Sequence, residues 1–147
     1  MATDEKVSFS AEERAAMKEY AAELKAEKKR KGSADKAAQD EADLVAKIAE
    51  LTGDDRILAE KVHELVREHA PELAPKTWYG MPAYNRDGRA IVFFQPASKF
   101  KARYSTLGFN DGAKLDDGAM WPTSYALTTI GPAEEKKLIE LIRRAAG

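Results

Sequence analysis

Residues 76–109, KTWYGMPAYNRDGRAIVFFQPASKFKARYSTLGF, decide the fold of this 147-residue chain. The stretch holds eight of the twelve aromatic residues and the clearest alternation of apolar and polar side chains. A period of two is typical of β-strands, whereas the flanking segments repeat with the helical period of 3.6 residues. The sequence therefore predicts a sheet formed within residues 76–109 and covered by helices.

Turn residues divide this stretch into three predicted strands: Lys76–Tyr84, Arg89–Gln95 and Phe100–Phe109. Because Pro82 has no N–H to donate, we expect the first to be an edge strand or a bulged one. The second is apolar on both faces, which indicates a central strand. Asn85–Gly88 is a predicted turn, and short connections imply an antiparallel meander with a fourth strand after Pro122.

Helical periodicity predicts four helices, over residues 10–31, 35–51 and 54–69 and after Gly131-Pro132. Ser10 and Glu13 form a capping box at the first helix start. Helices, then antiparallel strands, then a helix predict an α+β fold in which the helices pack on one face of the sheet. A break at Gly32-Ser33 separates a helical N-terminal extension, residues 1–33, from a domain over residues 34–147.

Composition excludes several classes of site. The chain has no cysteine, so disulfides, thiolate zinc sites and a cysteine nucleophile are excluded. We expect a soluble cytoplasmic protein, because the start lacks a signal-peptide pattern and no apolar run reaches the ~20 residues of a membrane span. P-loop, GxGxxG and GxSxG motifs are absent from the sequence, so we predict a binding protein rather than an enzyme.

Basic residues concentrate in the aromatic stretch, which has a charge of +5, against −5 for residues 1–75. Lys99, Lys101 and Arg103 alternate, so on a strand they would project to one side. Together with four neighbouring side chains, these three cations form a candidate site for a carboxylate or a phosphate. The four neighbours are Trp78, Tyr79, Met81 and Tyr84. The competing interpretation puts the aromatics in the core and the cations at the rim of the sheet, and nucleic acid is the least favoured partner.

Acidic residues are frequent in the second and third predicted helices. Carboxylate clusters bind hard cations, which makes six residues candidate metal ligands: Asp40, Glu41, Asp43, Glu60, Glu64 and Glu68. A charged helix surface with i, i+4 pairing is the competing interpretation. The two histidines, His63 and His69, are about 120° apart around one helix, so we expect an ion-pair face at His63 and a packed or capping role for His69.

Three segments carry a resemblance to a known family: KTWYGMPAY, FFQPASKFKARYSTLGF and LDDGAMWP. With the helix after Gly131-Pro132, they make the chain similar to the YdhG-like family of small bacterial proteins, mostly of unknown function, over residues 40–146. The resemblance implies an α+β fold with an antiparallel sheet backed by helices. It also implies a relation to frataxin-like iron chaperones, with iron as cargo and iron-using biosynthetic proteins as partners.

These observations lead to three hypotheses. The first is a non-enzymatic binding protein, an iron carrier by resemblance, with the acidic residues as ligands. The second is a domain that binds a small molecule or anion on the basic aromatic surface. The third is an interaction module that contacts a protein partner through its N-terminal helices.

Overall fold

The computed structural model describes residues 8–29 and 32–147, without the side chains of residues 33 and 34. The described residues form four α-helices: α1 (Ala11–Lys29), α2 (Ser33–Ala49), α3 (Gly53–His69) and α4 (Pro132–Ala146). They also form five strands: β1 (Ala74–Trp78), β2 (Met81–Arg86), β3 (Arg89–Gln95), β4 (Ser105–Phe109) and β5 (Ser124–Leu127). The predicted end of the first helix at Lys31 lies outside the described residues. Within them, no helix has both the length and the apolarity to cross a membrane.

All four helix starts lie within about two residues of their predicted positions. At α1 the capping box is present: the Glu13 N–H donates to Ser10 Oγ and the Ser10 N–H donates to a Glu13 carboxylate oxygen, both at 3.0 Å. Pro132 takes the first position of α4, where its missing N–H costs no helical hydrogen bond. Local sequence signals therefore set these boundaries.

The five strands form one antiparallel sheet in the order β1-β2-β3-β4-β5, which confirms the α+β meander. The prediction of a single strand over Lys76–Tyr84 is wrong, because β1 and β2 form a hairpin in which Trp78 pairs with Met81. The turn residues Tyr79 and Gly80 have φ angles of 52° and 75°. Two positive φ angles are typical of a type I′ turn, which matches the twist of the flanking strands.

The predicted third strand is also corrected. Residues 97–100 form a short 3₁₀-helix that ends at Lys101 in the left-handed conformation, and β4 begins only at Ser105. The N–H of Ala102 donates to the carbonyl oxygen of Ala97 at 2.8 Å. Because these local hydrogen bonds replace a strand ladder, the alternation of basic residues before Ser105 does not place them on one face of the sheet.

The apolar core lies between one face of the sheet and helices α2, α3 and α4. Strand register places Tyr84 beside Val92, Val92 beside Phe109 and Phe94 beside Leu107. The helices add buried side chains: Leu44, Ile48, Val62, Leu65, Val66, Leu138 and Ile142. Complete burial of such a side chain contributes about 1.5–3 kcal/mol, so this face carries most of the apolar stabilisation.

Helix α1 contacts the opposite face of the sheet. Lys76, Ala83, Phe93 and Gly108 are neighbours across four strands, and alternation places them away from the core. The ring of Tyr20 stacks on Tyr79 with 4.2 Å between centroids. The predicted helical extension therefore lies against the face of the sheet that carries Trp78 and Phe93.

Candidate functional site

The three cations predicted to bind an anion do not lie together on one face of a strand. They are Lys99, Lys101 and Arg103. Lys99 Nζ lies 3.1 Å from a carboxylate oxygen of Glu19, and Lys101 Nζ lies 2.9 Å from one of Glu12. The Arg103 guanidinium lies 5.3 Å from the ring centroid of Tyr104. Acidic residues of α1 thus neutralise both lysines, and these cations do not converge on one anion.

The four aromatic or apolar candidates are divided between the core and the surface. Tyr84 is fully buried and Met81 is 5% exposed, so neither faces a ligand on the outer surface. Trp78 and Tyr79 are partly buried, with ring centroids 5.0 Å apart in an edge-on contact. Trp78 therefore remains as the aromatic wall of a site on the α1 side of the sheet.

His63 is half-buried rather than part of a solvated ion-pair face. Its Nδ1 lies 3.0 Å from the Tyr84 hydroxyl. Burial lowers the pKa of His63, which favours the neutral imidazole at pH 7. In the Nε2–H tautomer, whose Nε2 lies 3.9 Å from Glu41, Nδ1 accepts the hydroxyl proton. This contact satisfies the buried hydroxyl and gives His63 a structural role. His69 Nδ1 lies 2.9 Å from the Arg143 guanidinium, in agreement with a packed role.

The six candidate metal ligands are distributed along α2 and α3: Asp40, Glu41, Asp43, Glu60, Glu64 and Glu68. Ion pairs engage three of them, Glu41 with Arg67, Glu60 with Arg56 and Glu64 with Lys61, and Glu68 lies 3.7 Å from His69 Nε2. Asp43 accepts from the Gln39 amide at 2.9 Å, and Asp40 is 7% exposed. Across the described residues, no three or more His, Cys, Asp or Glu side chains are placed to share a metal ion.

Helix α1 holds the β1–β2 turn through its side chains. The two carboxylate oxygens of Glu23 accept hydrogen bonds from the backbone N–H groups of Tyr79 and Gly80, at 3.1 and 2.9 Å. A Cβ atom at Gly80 would collide with the carboxylate of Glu19. The turn therefore requires glycine at this position both for its φ angle and for the close approach of α1.

A cavity of about 360 Å³ lies between α1 and the sheet. Its α1 wall includes Tyr20, Glu23 and Leu24, and its sheet wall includes Trp78 and Ala90, with further lining from Lys76, Asn85, Arg89, Asn110, Asp111 and Gly112. A volume of this size is typical of small-molecule sites, and half of the fourteen lining residues are charged or carry a side-chain amide.

A second cavity of about 450 Å³ shares four lining residues with the first: Glu27, Lys76, Asn85 and Gly88. Its other walls come from α2, the end of α3 and the start of β1. A single ion-pair cluster contributes to both cavities, since Lys76 Nζ and Lys36 Nζ each lie 2.8 Å from Glu27. Hydrogen bonds from Lys36 and Lys76 lower the pKa of Glu27 to about 2, so the carboxylate stays ionised at pH 7.

Asn85 lies at the junction of the two cavities. Its side chain is buried, at 9% exposure, and its Oδ1 has no hydrogen-bond partner among the described residues. Leaving a buried acceptor unsatisfied costs about 1–3 kcal/mol. The neighbouring Asn110 is different, because its amide donates to the Ala90 carbonyl oxygen at 3.1 Å. Asn85 thus lines both cavities and carries a buried acceptor that no described group satisfies.

The sequence prediction assigned Asn85 to a turn and did not include it among the candidate site residues. In the structure Asn85 and Arg86 belong to β2, and the turn consists of Asp87 and Gly88, with φ angles of 51° and 77°. An Asp-Gly pair is a strong signal for a two-residue hairpin turn. That signal would have placed Asn85 in the strand. It would not have predicted that the side chain is buried or that it lacks a hydrogen-bond partner.

Comparison with family models, with curated proteins and with solved structures finds no match to this chain. Membership of the YdhG-like family, iron as cargo and iron-using partners therefore stay predictions from the sequence resemblance. Contact with a protein partner through the N-terminal helices stays a prediction as well.

Proposed function

We propose that this chain is a non-catalytic binding protein for a small organic molecule held between α1 and the outer face of the sheet. The observation that carries the proposal is the unpartnered Asn85 Oδ1, which is buried where the two cavities meet. Because a buried acceptor is costly when unsatisfied, its retention is accounted for by a ligand N–H or O–H that donates to it.

Aromatic and apolar groups supply the remaining recognition. Trp78 offers a partly buried ring, and Leu24 and Ala90 add apolar surface. Burial of ligand rings against such surfaces supplies most of the affinity, while a few polar groups fix orientation. The site therefore favours a molecule with a planar apolar part and at least one hydrogen-bond donor.

The substitution Asn85→Leu is expected to change ligand affinity without lowering the free energy of unfolding. In Asn85→Leu the unsatisfied oxygen disappears while the branched skeleton of four side-chain heavy atoms is kept, and the adjoining cavity gives room for the larger methyl groups. The free energy of unfolding is therefore expected to be unchanged or to rise by about 1 kcal/mol. Ligand affinity is expected to fall at least tenfold. Ligands are found by a thermal-shift screen of the wild-type protein and confirmed by isothermal titration calorimetry.

Asn110→Leu is the matched control, because Asn110 lines the same cavity but already uses its amide. Its stability is expected to fall by about 1 kcal/mol, since the Ala90 carbonyl oxygen loses a donor. A screen that yields no saturable ligand, or ligands that bind Asn85→Leu as tightly as the wild type, would contradict the proposed function.

A further inference from the structure

Resting on the proposed function, we infer that the ligand is an organic cation: a planar apolar ring that bears a protonated amine. The ring would occupy the cavity beside Trp78, and the ammonium group would donate to Asn85 Oδ1. The chemistry of the cavity walls distinguishes this ligand class from anions and from neutral alcohols.

Both cavities have an excess of acidic side chains. The ionisable groups of the first are three acids and two bases: Glu23, Glu27, Asp111, Lys76 and Arg89. Those of the second are five acids and three bases: Glu27, Asp40, Glu41, Glu72, Asp87, Lys36, Arg67 and Lys76. The formal charge of the lining is therefore −1 in the first cavity and −2 in the second, which attracts cations and repels anions.

Most of the cations in the lining are already engaged. Lys36 and Lys76 both contact Glu27, and Arg67 contacts Glu41 at 3.2 Å. In the second cavity an anionic ligand would have to displace one of these carboxylates, and the released carboxylate would then repel it. In the first cavity Arg89 has no acidic partner among the described residues, but three acids, Glu23, Glu27 and Asp111, oppose an anion there. This competition argues against the carboxylate or phosphate predicted from the sequence.

Four acids of the lining have no cationic partner among the described residues: Glu23, Glu72, Asp87 and Asp111. Asp87 lies in the turn that follows β2, two residues from Asn85. Asp111 lies one residue after Asn110, whose backbone N–H donates to the carbonyl oxygen of Ile91. Asp111 thus shares the lining of the first cavity with Asn85, and Asp87 shares that of the second, so both acids add negative potential to a cavity that Asn85 lines.

The polar groups also favour a cation. A carbonyl oxygen accepts from an ammonium group, whereas a ligand carboxylate or phosphate has no proton to donate at pH 7. The Trp78 ring offers a face on which the planar ring of the ligand can stack. The acceptor and the negative lining thus favour a cation by independent physical effects, and the aromatic wall accommodates the ring that bears it.

Matched ligands test this inference directly. Benzene and indole rings are each joined by a two-carbon chain to an ammonium, a hydroxyl or a carboxylate group; the indole set is tryptamine, tryptophol and indole-3-propionate. Dissociation constants are measured by calorimetry at pH 7 and low salt, with the full-length wild-type protein. The amine of at least one set is expected to bind tenfold or more tightly than its alcohol and its carboxylate.

Variants locate the bound amine. Asp87→Asn and Asp111→Asn are each expected to weaken amine binding about two- to fivefold and to leave the affinity of the matched alcohol unchanged. Glu68→Gln, on a surface outside both cavities, is expected to change neither. Asn85→Leu is expected to weaken the amine at least tenfold.

Two results would overturn the inference. One is an alcohol or a carboxylate that binds as tightly as its amine in both ring sets. The other is a wild-type screen whose saturable, Asn85-dependent ligands are uncharged or anionic. Either result leaves the proposed function intact, whereas a screen without any Asn85-dependent ligand removes the proposed function itself.

Discussion

The two faces of the sheet are held by different forces. On the core face, side chains such as Phe94 of β3, Leu65 of α3 and Ile142 of α4 are fully buried in one apolar cluster. On the outer face, α1 buries only Ala16 within the range Ala11–Lys29. Its attachment consists of carboxylate contacts and one ring stack. Apolar burial therefore stabilises one face, and polar contacts position a helix over the other.

This difference predicts different responses to perturbation. Apolar burial is insensitive to ionic strength, whereas exposed ion pairs weaken as salt screens the charges. Segments with few buried apolar contacts also open locally at a lower free-energy cost than the core. We therefore expect α1 to open in a local event, and α3 to exchange its amides only when the domain unfolds.

The largest expected effect is in the core. Phe94→Ala removes a fully buried ring and is expected to lower the free energy of unfolding by about 3–5 kcal/mol. Tyr20→Ala removes only the stack on Tyr79 and is expected to cost about 0.5–1.5 kcal/mol. Urea denaturation measures both. Equal losses would show that the two faces contribute equally to stability.

Substitutions at two glycines distinguish the free-energy cost of a positive φ angle in a turn from the free-energy cost of displacing α1. Gly80→Ala and Gly88→Ala both place alanine at a positive φ angle, which costs about 1–2 kcal/mol. At Gly88 the added Cβ meets no atom within 4 Å, whereas at Gly80 it meets Glu19. Gly80→Ala is therefore expected to lose more stability.

Hydrogen exchange provides the second readout for these variants. Gly80→Ala is expected to raise amide exchange across residues 11–29, and Gly88→Ala is expected to leave it unchanged. Equal exchange in the two variants would contradict the close approach of α1 to the β1–β2 turn.

The contact between His63 and Tyr84 predicts a pH dependence. Because burial holds the folded pKa of His63 below its usual value near 6.5, the unfolded chain binds the proton more readily. The contribution of His63 to the free energy of unfolding is therefore present above pH 6.5 and is lost as the pH falls towards the folded pKa. Urea midpoints at pH 7.0 and 5.5 measure the loss, and His63→Gln is expected to reduce it. An identical pH slope in that variant would assign the loss to other groups.

The smallest expected effect concerns the end of α1. Glu27→Gln weakens the contacts with Lys36 and Lys76 and is expected to raise exchange of the amides near residue 27 only a few-fold. In the wild type, 0.5 M salt is expected to act in the same direction. Acidification to pH 4 is not expected to raise this exchange. The folded pKa of Glu27 is about 2, which preserves the contact until the pH falls towards 2. Glu140→Gln on α4 serves as the control.

Much of the fold was predictable because its signals are local. Alternation identified β3, and capping residues placed the starts of α1 and α4. The strand predicted over Phe100–Phe109 failed because Lys101 adopts a left-handed conformation that nothing in the alternation indicates. The site was only partly predictable: Trp78, a predicted ligand-site residue, lines the first cavity, whereas Tyr84 is buried and Asn85 was not among the predicted site residues.

The sequence by itself determined the helices, most of the strands and the antiparallel order, because periodicity, caps and short turns act over a few residues. Only the tertiary structure decided where α1 lies, since Glu23 accepts from Gly80 across 57 positions of the chain. It also decided that acids of α1 neutralise Lys99 and Lys101, and that Asn85 is buried without a partner. Such contacts depend on which face a helix covers when it packs, and no local pattern encodes that choice.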